Sequence, residues 1–160
     1  MHKLDQIDLD ILAALQADGR ITNVALAKQV GLSATPCLER VKSLEAAGLI
    51  TGYVARLSAK ALGLGLTVFV QIAIERTSQS VFEAFREAVR AIPEIEECHM
   101  VAGGYDYLLK VRVPDMAAYR TFLGAVLSGI PGIRETHSYP VMEEVKDSGT
   151  LSLGHLQAQT

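Results

Sequence analysis

The sequence predicts an α+β protein in two parts, three N-terminal helices followed by a βαββαβ unit, and three observations carry that expectation. Apolar residues recur at helical spacing in three short segments, separated by Gly19 and Gly31 and closed by Gly48. From Thr67 onward, β-branched runs of strand length alternate with two helical stripes. The second part also repeats itself, for Ile92-Pro93-Glu94-Ile95 returns as Ile130-Pro131-Gly132-Ile133, 38 positions later.

Between Gln6 and Asp18 the residues Ile7, Ile11, Leu12 and Leu15 share one helical face, and Gly19 ends the run. Thr22 caps a short second helix containing Leu26, Ala27 and Val30, which Gly31 stops. Ser33 caps a third, in which Ala34, Cys37, Leu38, Val41 and Leu44 turn inward and Thr35, Pro36, Glu39, Arg40, Lys42 and Ser43 turn outward. Three helices joined by Gly-containing turns form a helix-turn-helix. Leu49 to Leu57 reads as two short extended segments, consistent with a wing. This places a winged helix-turn-helix at 1–60, a linker with Gly63 and Gly65 at 61–66, a second domain at 67–146 and a weakly patterned tail at 147–160.

Within the second domain, strands are expected at Thr67–Ile74, Ile95–Val101, Tyr105–Val113 and Ile133–Val145. The helix between the first two carries Val81, Phe82, Phe85, Ala88, Val89 and Ile92; the other carries Met116, Tyr119, Phe122, Leu123, Val126 and Leu127. Two strand-helix-strand halves make a ferredoxin-like sandwich of the kind seen in RAM and ACT domains, with both helices on one sheet face. The other face has no cover within the chain, so a dimer through this domain is expected. Two small domains in 160 residues also favour oligomerisation.

The chain is 49% hydrophobic and 21% charged, with no run long enough to span a bilayer and no leader pattern after Met1, so it is expected to be soluble and cytoplasmic. Cys37 and Cys98 are too few and too far apart for a disulfide framework or a zinc knuckle. The net charge of −3 conceals an asymmetry. Residues 1–60 carry seven Lys/Arg against six Asp/Glu, and residues 61–160 carry eight against twelve. From Arg20 to Lys60 six basic residues face only Glu39 and Glu45, a modest basic surface suited to DNA. Neither Cys98-His99 nor Thr136-His137 gathers the three ligands or oriented base that a metal or nucleophilic site needs, and no phosphate-loop fingerprint occurs. No enzyme, cofactor or metal is indicated.

Longer motifs connect these parts. Asp18-Gly-Arg-Ile-Thr-Asn-Val24, Val30-Gly-Leu-Ser33, Thr35-Pro-Cys-Leu-Glu-Arg-Val41, Leu44-Glu45, Gly48-Leu-Ile50 and Gly52-Tyr53 resemble the DNA-binding domain of the Lrp/AsnC family. Glu97-Cys-His99, Asp106-Tyr-Leu-Leu-Lys110, Arg112-Val-Pro-Asp-Met116, Ala118-Tyr-Arg120, Pro131-Gly132 and Met142-Glu-Glu-Val-Lys146 resemble its effector domain, in its leucine-responsive branch. Coverage runs from about Leu4 to Lys146. The chain departs from the family pattern at Gly104, where an Asp is common, and at Pro140, which removes a backbone donor from the last strand. The resemblance implies a transcriptional regulator of amino-acid metabolism that binds double-stranded DNA as a homo-oligomer, a dimer or a tetramer of dimers, and answers to an amino acid such as leucine or methionine.

For DNA, the outward residues of the third helix lead. Arg40 is suited to a base or bidentate phosphate contact and Lys42 to a phosphate, with Thr35, Pro36 and Glu39 beside them. Glu39 either accepts from a cytosine or orients Arg40, and Arg40 in turn could pair with Glu39 or Glu45 on a solvated surface. Thr22, Asn23 and Ser33 can supply positioning contacts, and Arg56 on the wing is placed for flanking phosphates. For the effector, Gly103 and Gly104 can present main-chain N–H groups to a carboxylate, Asp106 can take an ammonium or else cap the loop, and Met100, Tyr105, Met116 and Tyr139 can wall an apolar side chain. The resemblance adds Val141 and puts the ligand in a cleft between effector domains of neighbouring dimers. A DNA-wrapping architectural oligomer is the alternative function, and an ACT-like regulator of an enzyme, acting without DNA, is a more distant one.

Overall fold

The computed structural model describes residues 4–75 and 78–157. The chain divides into two compact units, Met1–Arg56 together with Asp147–Thr160, and Leu57–Lys146. The second unit opens with a turn in which Leu62 and Leu64 donate their N–H groups back to Ser58 and Ala59. The tail belongs to the helical unit.

In that unit α1 spans Gln6–Ala17, α2 Asn23–Gln29 and α3 Ala34–Ala46. Helix α1 starts on a reciprocal capping box, in which the Asp5 side chain accepts from Asp8 N–H and the Asp8 side chain accepts from Asp5 N–H. Thr22 caps α2 through Ala25 N–H, and Thr22→Ala should cost the unit about 1 kcal/mol in denaturant unfolding. Ser33 occupies the N-cap of α3 without a side-chain bond. Gly48 takes φ 70 after α3, where Leu49 N–H returns to Leu44 O. Ile11, Ala14, Leu26, Ala27, Cys37 and Leu44 form the core.

Two expectations are corrected here. The inward stripe of α3 is Cys37 and Leu44, both buried, with Val41 and Arg40 half-buried alongside, whereas Ala34 and Leu38 are exposed. An apolar set at 34, 37, 38, 41 and 44 is wider than one contact face, and the packing uses one edge of it. Residues 51–57 pair with no strand among the described residues, so the two short strands expected of a wing are not formed there.

In the second unit β1 spans Leu66–Ile74, α4 Gln79–Arg90, β2 Ile95–Met100, β3 Tyr107–Val113, α5 Met116–Ala125 and β4 Ile133–Pro140; a short α6, Gly154–Gln157, closes the tail in the helical unit. The sheet order is β2-β3-β1-β4 with all neighbours antiparallel, the ferredoxin-like arrangement. Val68, Val70, Ile72, Leu109 and Val111 are fully buried with Phe85 of α4, while Phe122 of α5 completes the same cluster. The last strand stops at Pro140, opposite Val68 and five residues short of expectation; beyond it Val141 N–H still reaches Thr67 O. Strand β3 likewise begins at Tyr107, because Asp106 is taken up in capping β1.

The opposite sheet face is more charged than simple alternation predicts. Phe69, Leu108 and Tyr139 share it with Lys110 and Arg112, which pair with Glu96, Glu97 and Glu144.

Candidate DNA-reading helix and effector loop

Helix α3 leaves Thr35, Pro36, Glu39, Lys42 and Ser43 exposed. Its first turn is tied to α2 by Asn23, whose amide Nδ2 donates to Ala34 O at 2.7 Å. Lys42 of α3, Lys28 of α2 and Arg20 before it are exposed cations with no ion pair among the described residues. Exposed apolar groups accompany them, Leu38 on α3 and Val24 on α2. Leu38 was expected inside because an apolar residue at helical spacing reads as core, and Val24 was given no role beyond its motif.

Arg40, expected outward, turns toward α1. Its Nη1 lies 2.8 Å from Asp5 Oδ2 and 2.8 Å from Asp8 Oδ1. The acidic start of α1 is thus the partner of a cation 35 and 32 positions away, a pairing no local pattern reveals. The Asp8 main-chain N–H, with the Arg40 guanidinium, holds the Asp5 carboxyl below its ordinary range, while Asp8 and Asp5 together raise Arg40. A depressed carboxyl pKa contributes stability that is complete above the unfolded value near 4 and is lost as pH falls through the folded one. Acid titration of the wild type below about pH 4 should therefore loosen α1, followed by the exchange rates of its amides, and Asp5→Ala should remove that step.

Arg56 is also engaged. Its guanidinium donates to the carbonyls of Ser148 and Asp147 at 2.7 and 2.8 Å, and Gln16 pairs with both main-chain groups of Leu151. The tail therefore holds the side chain expected on flanking phosphates.

In the sheet unit, Gly103 and Gly104 lie in an exposed bend with open space where a Cβ would stand. Asp106 anchors that bend: its N–H donates to Ile72 O, its carbonyl accepts from Val101 N–H, and its Oδ2 accepts from Ile74 N–H at 2.8 Å. Met100, Gly103, Gly104, Tyr105 and Asp106 thus gather at one end of the sheet. Met116, at the start of α5, and Val141, bonded to Thr67, lie at the other end, about 20 Å away along β3. Tyr139 stands opposite Phe69 between them, its hydroxyl 3.3 Å from Gln71 Oε1. One copy does not bring the expected effector residues together.

Residues 4–51 match the model of a winged helix-turn-helix DNA-binding domain, and residues 67–151 match that of the Lrp/AsnC ligand binding domain. The chain belongs to the Lrp/AsnC family. It is 56% identical over 148 residues to the leucine-responsive regulatory protein of Escherichia coli K12, covering 92% of this chain and 90% of that one. A transcriptional regulator of Neisseria meningitidis, solved as its complex with L-methionine, superposes with a TM-score of 0.92 at 40% identity, covering 96% of this chain and 99% of that one. An AsnC family regulator from Agrobacterium tumefaciens gives 0.91 at 38% identity, over 95% and 99% of the two chains.

As an Lrp/AsnC protein the chain is a DNA-binding transcriptional regulator with an effector-binding domain, and not an enzyme. Its DNA-binding match contains α1, α2 and α3 but stops before Arg56. Among the described residues, no helix of this Lrp/AsnC chain is long and apolar enough to cross a membrane, and Cys37 and Cys98 are free thiols whose pKa burial raises.

Proposed function

We propose that this protein is a cytoplasmic, sequence-specific regulator of amino-acid metabolism genes that reads the major groove with α3 and is switched by a small apolar amino acid, leucine or methionine. The observation that carries the reading is the exposed row Thr35, Pro36, Glu39 and Lys42 on a helix whose opposite side is locked into the helical core. Lys42, Arg20 and Lys28 are the phosphate contacts in this reading, Leu38 offers a surface for a thymine methyl, and Thr22, Asn23 and Ser33 position the helix ends. Arg40 and Arg56 are assigned to structure instead. Leucine and methionine are proposed because the curated relative is leucine-responsive and the solved neighbour holds L-methionine.

The effector reading requires more than one copy. Gly103, Gly104 and Asp106 supply polar groups at one sheet end, and Met116 and Val141 supply apolar ones at the other, so a single pocket using both sets draws them from different chains. This supports a homo-oligomer with ligand between effector domains, a dimer at minimum and, in our reading, a tetramer of dimers.

The test uses a duplex selected by the wild-type chain from a random pool, titrated with and without leucine, methionine, aspartate and lysine. Leucine or methionine should change the affinity or the footprint, and the charged amino acids should not. Indifference to every amino acid would overturn the effector assignment, and protection over several phased helical turns would identify a DNA-wrapping assembly. Gly103→Val and Met116→Glu chains should each lose the response, while co-refolded mixtures regain part of it. Mixtures as unresponsive as either parent would place both sets outside one shared pocket.

A further inference from the structure

The geometry points to Arg40 as the residue that positions the DNA-reading helix, acting through Asp5 and Asp8 and not through a phosphate. The assignment rests on α3 facing DNA. Four carboxylate oxygens are accounted for around one guanidinium: Asp5 Oδ1 and Asp8 Oδ2 close the capping box of α1, and Asp5 Oδ2 and Asp8 Oδ1 both receive Arg40 Nη1. The Asp8 side chain is only 8% exposed, so it needs this cation as a partner. Two carboxylates around one guanidinium leave a local charge of −1, which repels a phosphate rather than attracting it. Among the described residues these are the only ion pairs that join α1 to α3. The rest of the register comes from Cys37, Val41 and Leu44 and from the Asn23 bond to Ala34 O, while Ser33 makes no side-chain cap.

Positioning and contact predict opposite signs for one substitution. Asp8→Asn preserves shape and an acceptor while removing a negative charge. If Arg40 touches phosphate, freeing it from an acid strengthens DNA binding; if it sets α3 in place, loosening it weakens binding by the fraction of molecules left competent, here about tenfold. Salt dependence gives an independent readout. A lost phosphate contact lowers the slope of log affinity against log salt by about 0.9 per bound arm, and a lost positioning contact leaves the slope unchanged.

The experiment measures affinity for the pool-selected duplex over a range of salt for wild type, Asp8→Asn, Arg40→Ala and Lys42→Ala, with circular dichroism at the assay temperature reporting the folded fraction. The expected result is weaker binding by Asp8→Asn and by Arg40→Ala at unchanged slope, and a reduced slope for Lys42→Ala. A reduced slope for Arg40→Ala, or tighter binding by Asp8→Asn, overturns the positioning role alone. An unchanged affinity and slope for Lys42→Ala overturns the DNA-facing assignment of α3 and this role with it. If Arg40→Ala does not fold, the sign of the Asp8→Asn effect still decides.

Discussion

Asp106→Ala is expected to lower the stability of the sheet unit by about 3 kcal/mol, and Asp106→Asn by about 1 kcal/mol. The carboxylate accepts from the main-chain N–H of Ile74, a residue only 3% exposed, at the end of β1. Alanine leaves that buried donor without a partner and also gives up a charge-assisted bond, whereas asparagine keeps an acceptor of the same shape. The bend holding Gly103 and Gly104 depends on the same residue through its main-chain bonds to Ile72 and Val101. Hydrogen exchange at Ile74 measures the effect, and wild-type protection there in Asp106→Ala would refute it. The folded asparagine variant then separates structure from ligand chemistry. Asp106 Oδ1 has no bond among the described residues, so calorimetry on Asp106→Asn with leucine and methionine should show at least tenfold weaker binding if that oxygen meets the ammonium.

Gly132→Ala should cost about 3 kcal/mol, again in the sheet unit. Gly132 has φ 84, and a Cβ there would stand 2.6 Å from Val81 Cγ1. The left-handed backbone accounts for about 1–2 kcal/mol and the collision for about as much again. The neighbouring chain cannot simply swing away, because Glu75 N–H donates to Gly132 O at 2.8 Å. Adding Val81→Ala should relieve the collision and leave the backbone cost, so the two substitutions together should destabilise by less than the sum of their separate effects. Strict additivity in chemical denaturation would count against this packing.

Most of the fold was legible in the sequence, since its signals are local. Thr22 and Gly48 mark helix ends by capping chemistry, and both act where the pattern places them. The doubled Ile-Pro motif announced two related halves, and the sheet order agrees. The errors have a common origin in edges. Strand β3 starts two residues later than expected because Asp106 closes the end of β1, and β4 ends at Pro140, a residue with no N–H for the ladder. The 51–57 segment has strand composition and no partner within the described chain.

The candidate sites were legible in composition but not in direction. That α3 carries polar residues, that Gly103 and Gly104 sit in an open bend, and that the motifs belong to the Lrp/AsnC family were all readable from residue order. Tertiary structure alone decided which side of α3 is buried and where its charges go. Helical periodicity sorts residues into faces, but Arg40 lies at the boundary of one, and its direction depends on two aspartates more than thirty positions away. The same holds for Arg56, claimed by tail carbonyls more than ninety positions on, and for Asp106, whose carboxylate closes the end of β1. A charged side chain settles on whichever partner folding brings within hydrogen-bond reach, and chain separation carries almost no information about that distance.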